Sequence, residues 1–122
     1  MSGRLLYLID DDDAARESTS FLLQVKGYEV ESFSSAEEFL EAVLDPQGPV
    51  LADIELPGMS GLQLPGKLRD ERCLVAVALI SAHVNDETLK RAVAAGAAFQ
   101  LQKPVAPNVL LDAVEQCFEL GV

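Results

Sequence analysis

The chain has 122 residues, of which 49% are hydrophobic and 24% charged, so it has the size and composition of one folded domain rather than of a disordered segment. Its 20 acidic residues against 9 basic ones give a formal net charge of −11, and such a domain repels the phosphates of DNA and RNA. No apolar run approaches the ~18 residues of a membrane span, and the N-terminus lacks the pattern of a signal peptide. We therefore expect a single cytoplasmic domain over residues 1–122, with no direct binding to nucleic acid or membrane.

Two hydrophobic periodicities alternate along the chain, one typical of buried strands and one of amphipathic helices. Continuous apolar runs at 5–9 (LLYLI) and 74–80 (LVAVALI) indicate strands covered on both faces, and the second is expected to be the most deeply buried. The first helix is expected to begin at Asp13 as N-cap, with Phe21 and Val25 on its apolar face. In chain order, the predicted elements are strand 5–9, helix 13–26, strand 28–33, a helix from a cap at Ser34 or Ser35 to about Leu44, strand 50–54, a helix to about Arg69 with a kink or ragged start at Pro65-Gly66, strand 74–80, a helix from a cap at Asn85 or Asp86 to Ala95, strand 98–101 and helix 108–120.

Five strand–helix units in alternation predict a doubly wound α/β fold. Parallel neighbouring strands are joined by right-handed helical crossovers, which place helices on both faces of the sheet. Ligands of such folds bind beyond the carboxyl ends of the strands, so the residues that follow each strand are the candidate site.

Charged and hydroxyl side chains stand at these strand ends: Asp10, Asp11, Asp53, Ser81 and Lys103. Carboxylates that converge without a counter-charge repel one another, and their hard oxygen atoms favour Mg²⁺ as the cation among them. Lys103 supplies one positive charge that suits a phosphoryl oxygen as well as a carboxylate. In this arrangement Asp53 can attack phosphorus while Mg²⁺ and Lys103 neutralise the equatorial oxygens, and Ser81 donates a hydrogen bond to one of them. The residues therefore predict a phosphoacceptor that forms an acyl phosphate.

These residues resemble the receiver domains of two-component response regulators. The resemblance lies in Asp10-Asp11 after a hydrophobic strand, Asp53 within ADIELPGMSG, Ser81 within LISAH, and Lys103-Pro104, a bond that is commonly cis in the family. The segments FSSAEEFL and SAH are similar to the FixJ/NarL-type subgroup, whose receivers usually precede a DNA-binding output domain. The resemblance implies a flavodoxin-like, five-stranded parallel sheet of order 2-1-3-4-5 with five helices.

The resemblance also implies roles for individual residues. Asp53 would accept a phosphoryl group from a histidine kinase or a phosphotransfer protein. Asp10, Asp11 and Asp53, with the backbone carbonyl of Glu55, would hold Mg²⁺. The domain would be a signalling module rather than an enzyme that acts on a separate substrate.

Two positions depart from the family pattern. The family usually has Tyr or Phe three residues before the lysine and often has Phe two residues after it, whereas this chain has Gln100 and Val105. Ser81 and Gln100 would form the switch that carries the signal from the site. Because an amide gains little from packing inward, we expect a muted change and a weak homodimer on the face formed by the fourth helix, fifth strand and fifth helix.

Three alternative functions stay open. A Mg²⁺-dependent phosphohydrolase would carry a threonine after its paired acids, which 11–15 (DDDAA) lacks. A flavodoxin-like cofactor protein would have a Ser/Thr/Gly-rich phosphate loop in place of the aspartates. A degenerate receiver acting only as a binding scaffold would have lost part of the acid, hydroxyl and lysine set, which is complete here.

The cysteines and the single histidine carry no predicted chemistry. Cys73 and Cys117 lack CxxC spacing, and both are expected to be reduced thiols facing the core. His83 has no partner for a zinc site and is expected in a loop near the mouth of the site. The phenylalanines expected to pack in the core are Phe21, Phe33, Phe39 and Phe118.

Overall fold

The computed structural model describes residues 4–120, so the predicted domain boundaries at residues 1 and 122 lie outside the described residues. Strands and helices alternate as predicted. Their bounds are β1 Leu5–Ile9, α1 Asp13–Val25, β2 Glu29–Phe33, α2 Ala36–Ala42, β3 Val50–Asp53, α3 Leu64–Asp70, β4 Val77–Ser81, α4 Asp86–Ala95, β5 Phe99–Gln102 and α5 Pro107–Leu120. None of the helices between residues 4 and 120 is long and apolar enough to cross a membrane.

The five strands form one parallel sheet in the order β2-β1-β3-β4-β5, which confirms the predicted topology. β1 pairs with β2 on one side and with β3 on the other, so the strand order reverses at β1 and opens a crevice at its carboxyl end. Asp53 pairs with Ile80, and Ser81 pairs with Gln102. The register therefore brings the ends of β3, β4 and β5 to the same edge of the sheet.

The hydrophobic core has two parts, one on each face of the sheet. Alternate residues of β1 divide between them: Tyr7 and Ile9 pack towards α2, α3 and α4, whereas Leu6 and Leu8 pack towards α1 and α5. Because both faces are covered, the central strands are apolar up to the polar residues at their carboxyl ends, which is why they appear in the sequence as hydrophobic runs.

Local signals fix most helix ends as predicted. Ser35 caps α2 by accepting a hydrogen bond from the Glu38 backbone N–H at 3.1 Å. Asn85 and Thr88 form a capping box at the start of α4, and Gly96 ends that helix with φ 98°, a left-handed conformation that suits glycine. α3 has the ragged start expected from Pro65-Gly66, since a 3-10 turn at Gly61–Gln63 precedes it.

The N-cap of α1 is Asp12, so the assignment of Asp13 as N-cap is wrong. Asp12 has extended backbone and accepts a hydrogen bond from the Ala15 N–H at 3.1 Å, whereas Asp13 is the first helical residue and pairs with Arg16. Two adjacent aspartates offer the same capping group, so the sequence alone does not distinguish them.

The fourth strand begins later than predicted, at Val77 rather than Leu74. Its pairing with β3 starts where the Val50 N–H donates to the Ala76 carbonyl at 3.0 Å, and Leu74 lies before it with 82% of its surface exposed. The strand itself is buried at every residue, as expected. Hydrophobicity therefore predicted the strand correctly but extended it into the preceding loop.

The predicted core role of Phe21 is wrong. Phe21 and Val25 are 68% and 63% exposed, while Leu23 is fully buried against the sheet. α1 is thus rotated so that part of its apolar stripe borders a groove between α1 and α5, which Val105 also lines.

The remaining phenylalanines and the cysteines behave as predicted. Phe39 is fully buried, and Phe33 and Phe118 pack against the two parts of the core. Both cysteines are free, and Cys73 packs at the edge of the core while Cys117 is buried. Burial raises the pKa of the Cys117 thiol to about 11, so this thiol is protonated and unreactive at neutral pH.

Candidate functional site

Three aspartates meet at the crevice where the strand order reverses. Asp10 follows β1 and Asp53 ends β3, and each is only 6% exposed, while Asp11 is exposed beside them. Carboxylate oxygens of Asp10, Asp11 and Asp53 lie within 4.8 Å of one another. Hard oxygen ligands at this spacing, with one side open to solvent, fit a Mg²⁺ ion that keeps part of its water shell.

Lys103 lies between the two buried carboxylates. Its ammonium nitrogen is 2.6 Å from Oδ2 of Asp53 and 3.3 Å from Oδ2 of Asp10. The Lys103 N–H donates to the Ser81 carbonyl at 2.9 Å, which ties the end of β5 to β4, and the Lys103–Pro104 peptide bond is cis, as in the family pattern. One ammonium among three carboxylates leaves the site with a net negative charge, which favours a further cation.

The pKa values of the ion pair reflect both burial and charge. Burial raises the pKa of Asp53, and the hydrogen bond and charge of Lys103 oppose this rise without cancelling it. Burial also acts to lower the pKa of Lys103, but its hydrogen bond to Asp53 and the negative charges of Asp53 and Asp10 outweigh this, so the pKa of Lys103 is raised. Lys103 therefore remains protonated at neutral pH.

Backbone groups hold the other oxygen of each buried aspartate. The Asp12 N–H donates to Oδ1 of Asp10 at 3.0 Å, and the Glu55 N–H donates to Oδ1 of Asp53 at 3.1 Å. The Arg16 guanidinium donates to the backbone carbonyl of Asp10 at 2.7 Å. These contacts fix the two carboxylates in place. Sequence reasoning missed Arg16, whose only sequence signal is its position one helical turn after Asp13.

Ser81 lies on the same edge but binds a different group. Its side chain is nearly fully buried, and its hydroxyl is 2.9 Å from Oε2 of Glu55 and 3.1 Å from the His83 carbonyl. The Ala82 N–H donates to Oε1 of Glu55 at 3.3 Å. The family resemblance implies a role only for the backbone carbonyl of Glu55, so the contact of its carboxylate with Ser81 is a feature that sequence reasoning missed.

The other predicted residues lie further from the acids. Gln100 is on β5 opposite Leu79, and neither atom of its buried amide has a hydrogen-bond partner among the described residues. His83 is an exposed loop residue two positions after β4, as predicted. Within the described residues it belongs to no group of potential metal ligands.

A groove of about 730 Å³ runs from Asp53 and Lys103 into the space between α1 and α5. Its walls are mainly apolar and include Phe21 and Val25 of α1 and Val105 of the loop before α5. The groove therefore joins an apolar wall on α1 to the acidic residues at the end of the sheet.

Comparisons with known proteins agree with this geometry. The model of the response regulator receiver domain matches residues 6–115. The transcriptional regulatory protein FixJ of Azorhizobium caulinodans is 36% identical over 110 residues, which cover 89% of this chain and 52% of that protein. The structure of the response regulator StyR has a TM-score of 0.88 at 36% identity, covering 98% of this chain and 61% of that chain. The BeF3-activated receiver domain of DrrB has a TM-score of 0.87 at 27% identity, covering 96% of this chain and 98% of that one. The chain thus spans little more than half of FixJ but almost all of the isolated DrrB receiver.

Proposed function

The chain belongs to the response regulator receiver family of two-component systems, and we propose that Asp53 is its phosphoacceptor. The phosphoryl group would come from a phosphohistidine of a histidine kinase or phosphotransfer protein. The observation that carries the proposal is the Lys103 ammonium, 2.6 Å from Asp53 and 3.3 Å from Asp10. A nucleophilic carboxylate is thereby held beside a positive charge suited to a phosphoryl oxygen.

Asp10, Asp11 and Asp53, together with the backbone carbonyl of Glu55, would hold Mg²⁺. When bound, the ion supplies positive charge that neutralises the phosphoryl oxygens and the carboxylates around them. The spacing of the three carboxylates and their net negative charge support this set.

The protein's own residues account for the transfer step. An oxygen of Asp53 forms the new bond to phosphorus as the bond between phosphorus and the donor's imidazole nitrogen breaks, and the imidazole leaves. Lys103 moves its hydrogen bond from the Asp53 carboxylate to a phosphoryl oxygen, and Ser81 turns its hydroxyl to another. The backbone N–H of Glu55 keeps Asp53 in position throughout.

The exposed apolar side of α1 supports a docking site for the phosphodonor. Phe21 and Val25 border the groove that leads to Asp53, so a helical partner with an apolar face could pack there and present its phosphohistidine to the acids. Such a contact buries apolar surface that is otherwise in water, which favours association.

The proposed output follows from the chain's relatives. FixJ is described as a transcriptional regulatory protein and is longer than this chain, so we propose a cytoplasmic receiver over residues 1–122 that controls a DNA-binding domain outside it. Ser81 and Gln100 would carry the switch to a homodimer surface on α4, β5 and α5. The chemistry of the receiver itself would be limited to gaining and losing the phosphoryl group on Asp53.

Intact-mass spectrometry after incubation with acetyl phosphate tests the assignment. The protein should gain one phosphate-sized, alkali-labile adduct with Mg²⁺ and none in EDTA. Asp53→Asn should abolish the adduct, whereas Asp112→Asn, which removes an exposed acid on α5, should retain it. An adduct that persists in Asp53→Asn, or that never forms on the unaltered protein, would overturn the proposal.

A further inference from the structure

The Glu55 carboxylate binds two donors at the end of β4. The Ser81 hydroxyl is 2.9 Å from Oε2, and the Ala82 N–H is 3.3 Å from Oε1, so each oxygen of the carboxylate receives one hydrogen bond. Glu55 is placed there by the chain itself, because its backbone N–H donates to Oδ1 of Asp53 at 3.1 Å. An exposed anion thus covers the hydroxyl of a residue that is only 1% exposed.

A phosphoryl group on Asp53 would need the same donors. It carries negative oxygens that bind best to charged or fixed N–H and O–H groups. Beside Lys103, the Ser81 hydroxyl and the Ala82 N–H are two donors at this edge of the sheet. The two oxygens of Glu55 therefore occupy, before phosphorylation, the groups that phosphoryl oxygens would otherwise bind.

We propose that the Glu55 side chain is an internal competitor of the phosphoryl group: it holds Ser81 and Ala82 in the unphosphorylated state and must release them when Asp53 is modified. This inference rests on the proposed function of Asp53. It makes Glu55 a positioning residue that acts through Ser81, in addition to the backbone role proposed for it above. Its negative charge also disfavours a second anion at the same place.

The Ser81 hydroxyl has hydrogen-bond partners other than Glu55. The hydroxyl lies 3.1 Å from the His83 carbonyl, and the His83 N–H donates back to it at the same distance. Loss of the Glu55 carboxylate therefore leaves the buried hydroxyl with a partner, and the Ala82 N–H lies on an exposed residue that water can reach. Substitution of Glu55 should change the site without a large loss of stability.

Binding of beryllofluoride with Mg²⁺, which imitates the phosphoryl group on Asp53, measures the competition. Glu55→Ala should tighten beryllofluoride binding about three- to tenfold, the range expected for one or two partly exposed hydrogen bonds to a carboxylate. Glu55→Gln, which removes the charge but keeps one acceptor oxygen, should lie between Glu55→Ala and the unaltered protein. Asp86→Asn removes the same charge from the start of α4 and should have a smaller effect.

A double-mutant cycle shows whether Glu55 acts through Ser81. In a Ser81→Ala background the gain from Glu55→Ala should shrink, because one of the two contested donors is gone. An equal gain in beryllofluoride affinity with Ser81 and with Ala at position 81 would show that Glu55 does not act through Ser81. Equal beryllofluoride affinity for Glu55→Ala and the unaltered protein would overturn the competition itself, while acetyl phosphate labelling of Asp53 would still support the proposed function.

Hydrogen exchange provides a readout without metal or phosphoryl group. In metal-free protein, the Ala82 amide should exchange faster in Glu55→Ala than in the unaltered protein, whereas the Asp12 amide, which bonds to Asp10, should not change. Unchanged exchange at Ala82 would contradict the resting contact. If the unaltered protein neither binds beryllofluoride nor is labelled by acetyl phosphate, the proposed function fails, and this inference fails with it.

Discussion

The ammonium of Lys103 donates a hydrogen bond to Oδ2 of Asp53 across 2.6 Å, although the two residues are 50 positions apart in the chain. The pair joins the ends of β3 and β5 over the intervening β4, and a second contact from Lys103 reaches Asp10. Within the part of the chain that the structure describes, Lys103 is the only cation paired with the carboxylates of these two buried aspartates, and it is already engaged before any ligand binds. Its loss would leave two buried carboxylates without a counter-charge.

The first prediction follows from this pair. Lys103→Met should lower the free energy of unfolding of the metal-free protein by about 1–3 kcal/mol, less than for a fully buried pair because the lysine is partly exposed. Urea unfolding in EDTA at pH 7 measures the change. Lys90→Met, an exposed lysine on α4, is the control, and an equal change in the two variants would contradict a stabilising role for Lys103.

The second prediction concerns Mg²⁺. Millimolar Mg²⁺ should raise the melting temperature, because an ion that binds only the folded state stabilises it by mass action. Asp11→Asn should relieve repulsion and stabilise the metal-free protein, while reducing the Mg²⁺-dependent rise. Asp112→Asn should leave that rise unchanged. A melting temperature of the unaltered protein that does not respond to Mg²⁺ would count against a metal site at these acids.

The third prediction concerns pH. Burial raises the pKa of Asp53 above its ordinary value of 3.8, so the folded state holds this proton more tightly than the unfolded chain does. The contribution of Asp53 to stability is therefore greatest below that ordinary value, and it is lost as the pH rises through the folded pKa. Relative to the unaltered metal-free protein, Asp53→Asn should gain stability, and the gain should be larger at pH 7 than near pH 4. Urea unfolding at the two pH values measures the stability gain of Asp53→Asn. A gain that falls as the pH rises would contradict a raised pKa of Asp53 in the folded protein.

Local signals in the sequence were sufficient for the alternation of strands and helices and for the residues at the strand ends, whereas the strand order came from the family resemblance. Each strand ends where an apolar run meets an acid, a hydroxyl or a lysine, and a parallel sheet brings those ends together whatever the detailed packing. Asp10, Asp53 and Lys103 meet for this reason.

The features that the sequence did not reveal depend on how separate elements approach one another. The carboxylate of Glu55 reaches Ser81 only because the loop after β3 lies beside the end of β4. The apolar pattern of α1 was visible, but the pattern cannot show that Phe21 borders an open groove while Leu23 packs on the sheet. Leu74 is a similar case, since hydrophobicity does not mark where strand pairing begins.

The fourth prediction concerns the buried amide of Gln100. Both of its polar atoms lack a hydrogen-bond partner among the described residues, and a buried polar group left unpaired costs about 1–3 kcal/mol. Gln100→Leu, which has a similar size and no polar atoms, should therefore raise the free energy of unfolding by about 1 kcal/mol. Gln102→Leu, at an exposed position of the same strand, is the matched control. Equal effects of the two substitutions would show that the amide is solvated.

The last prediction concerns the effect of Gln100 on self-association of the protein when Asp53 is modified. An aromatic ring at position 100 would gain roughly 1–3 kcal/mol by packing into space vacated when Ser81 moves, whereas an unpaired amide gains no comparable benefit there. Beryllofluoride should therefore cause only weak self-association of the unaltered protein in sedimentation experiments, and Gln100→Phe should strengthen it. α4 carries exposed apolar residues, Leu89 and Val93, that a dimer on α4, β5 and α5 would cover. Val93→Ser in the Gln100→Phe background should then reverse the gain, which separates dimerisation on this face from association elsewhere. Strong beryllofluoride-dependent dimerisation of the unaltered protein, unchanged by Gln100→Phe, would show that the signal leaves the site without an aromatic residue at position 100.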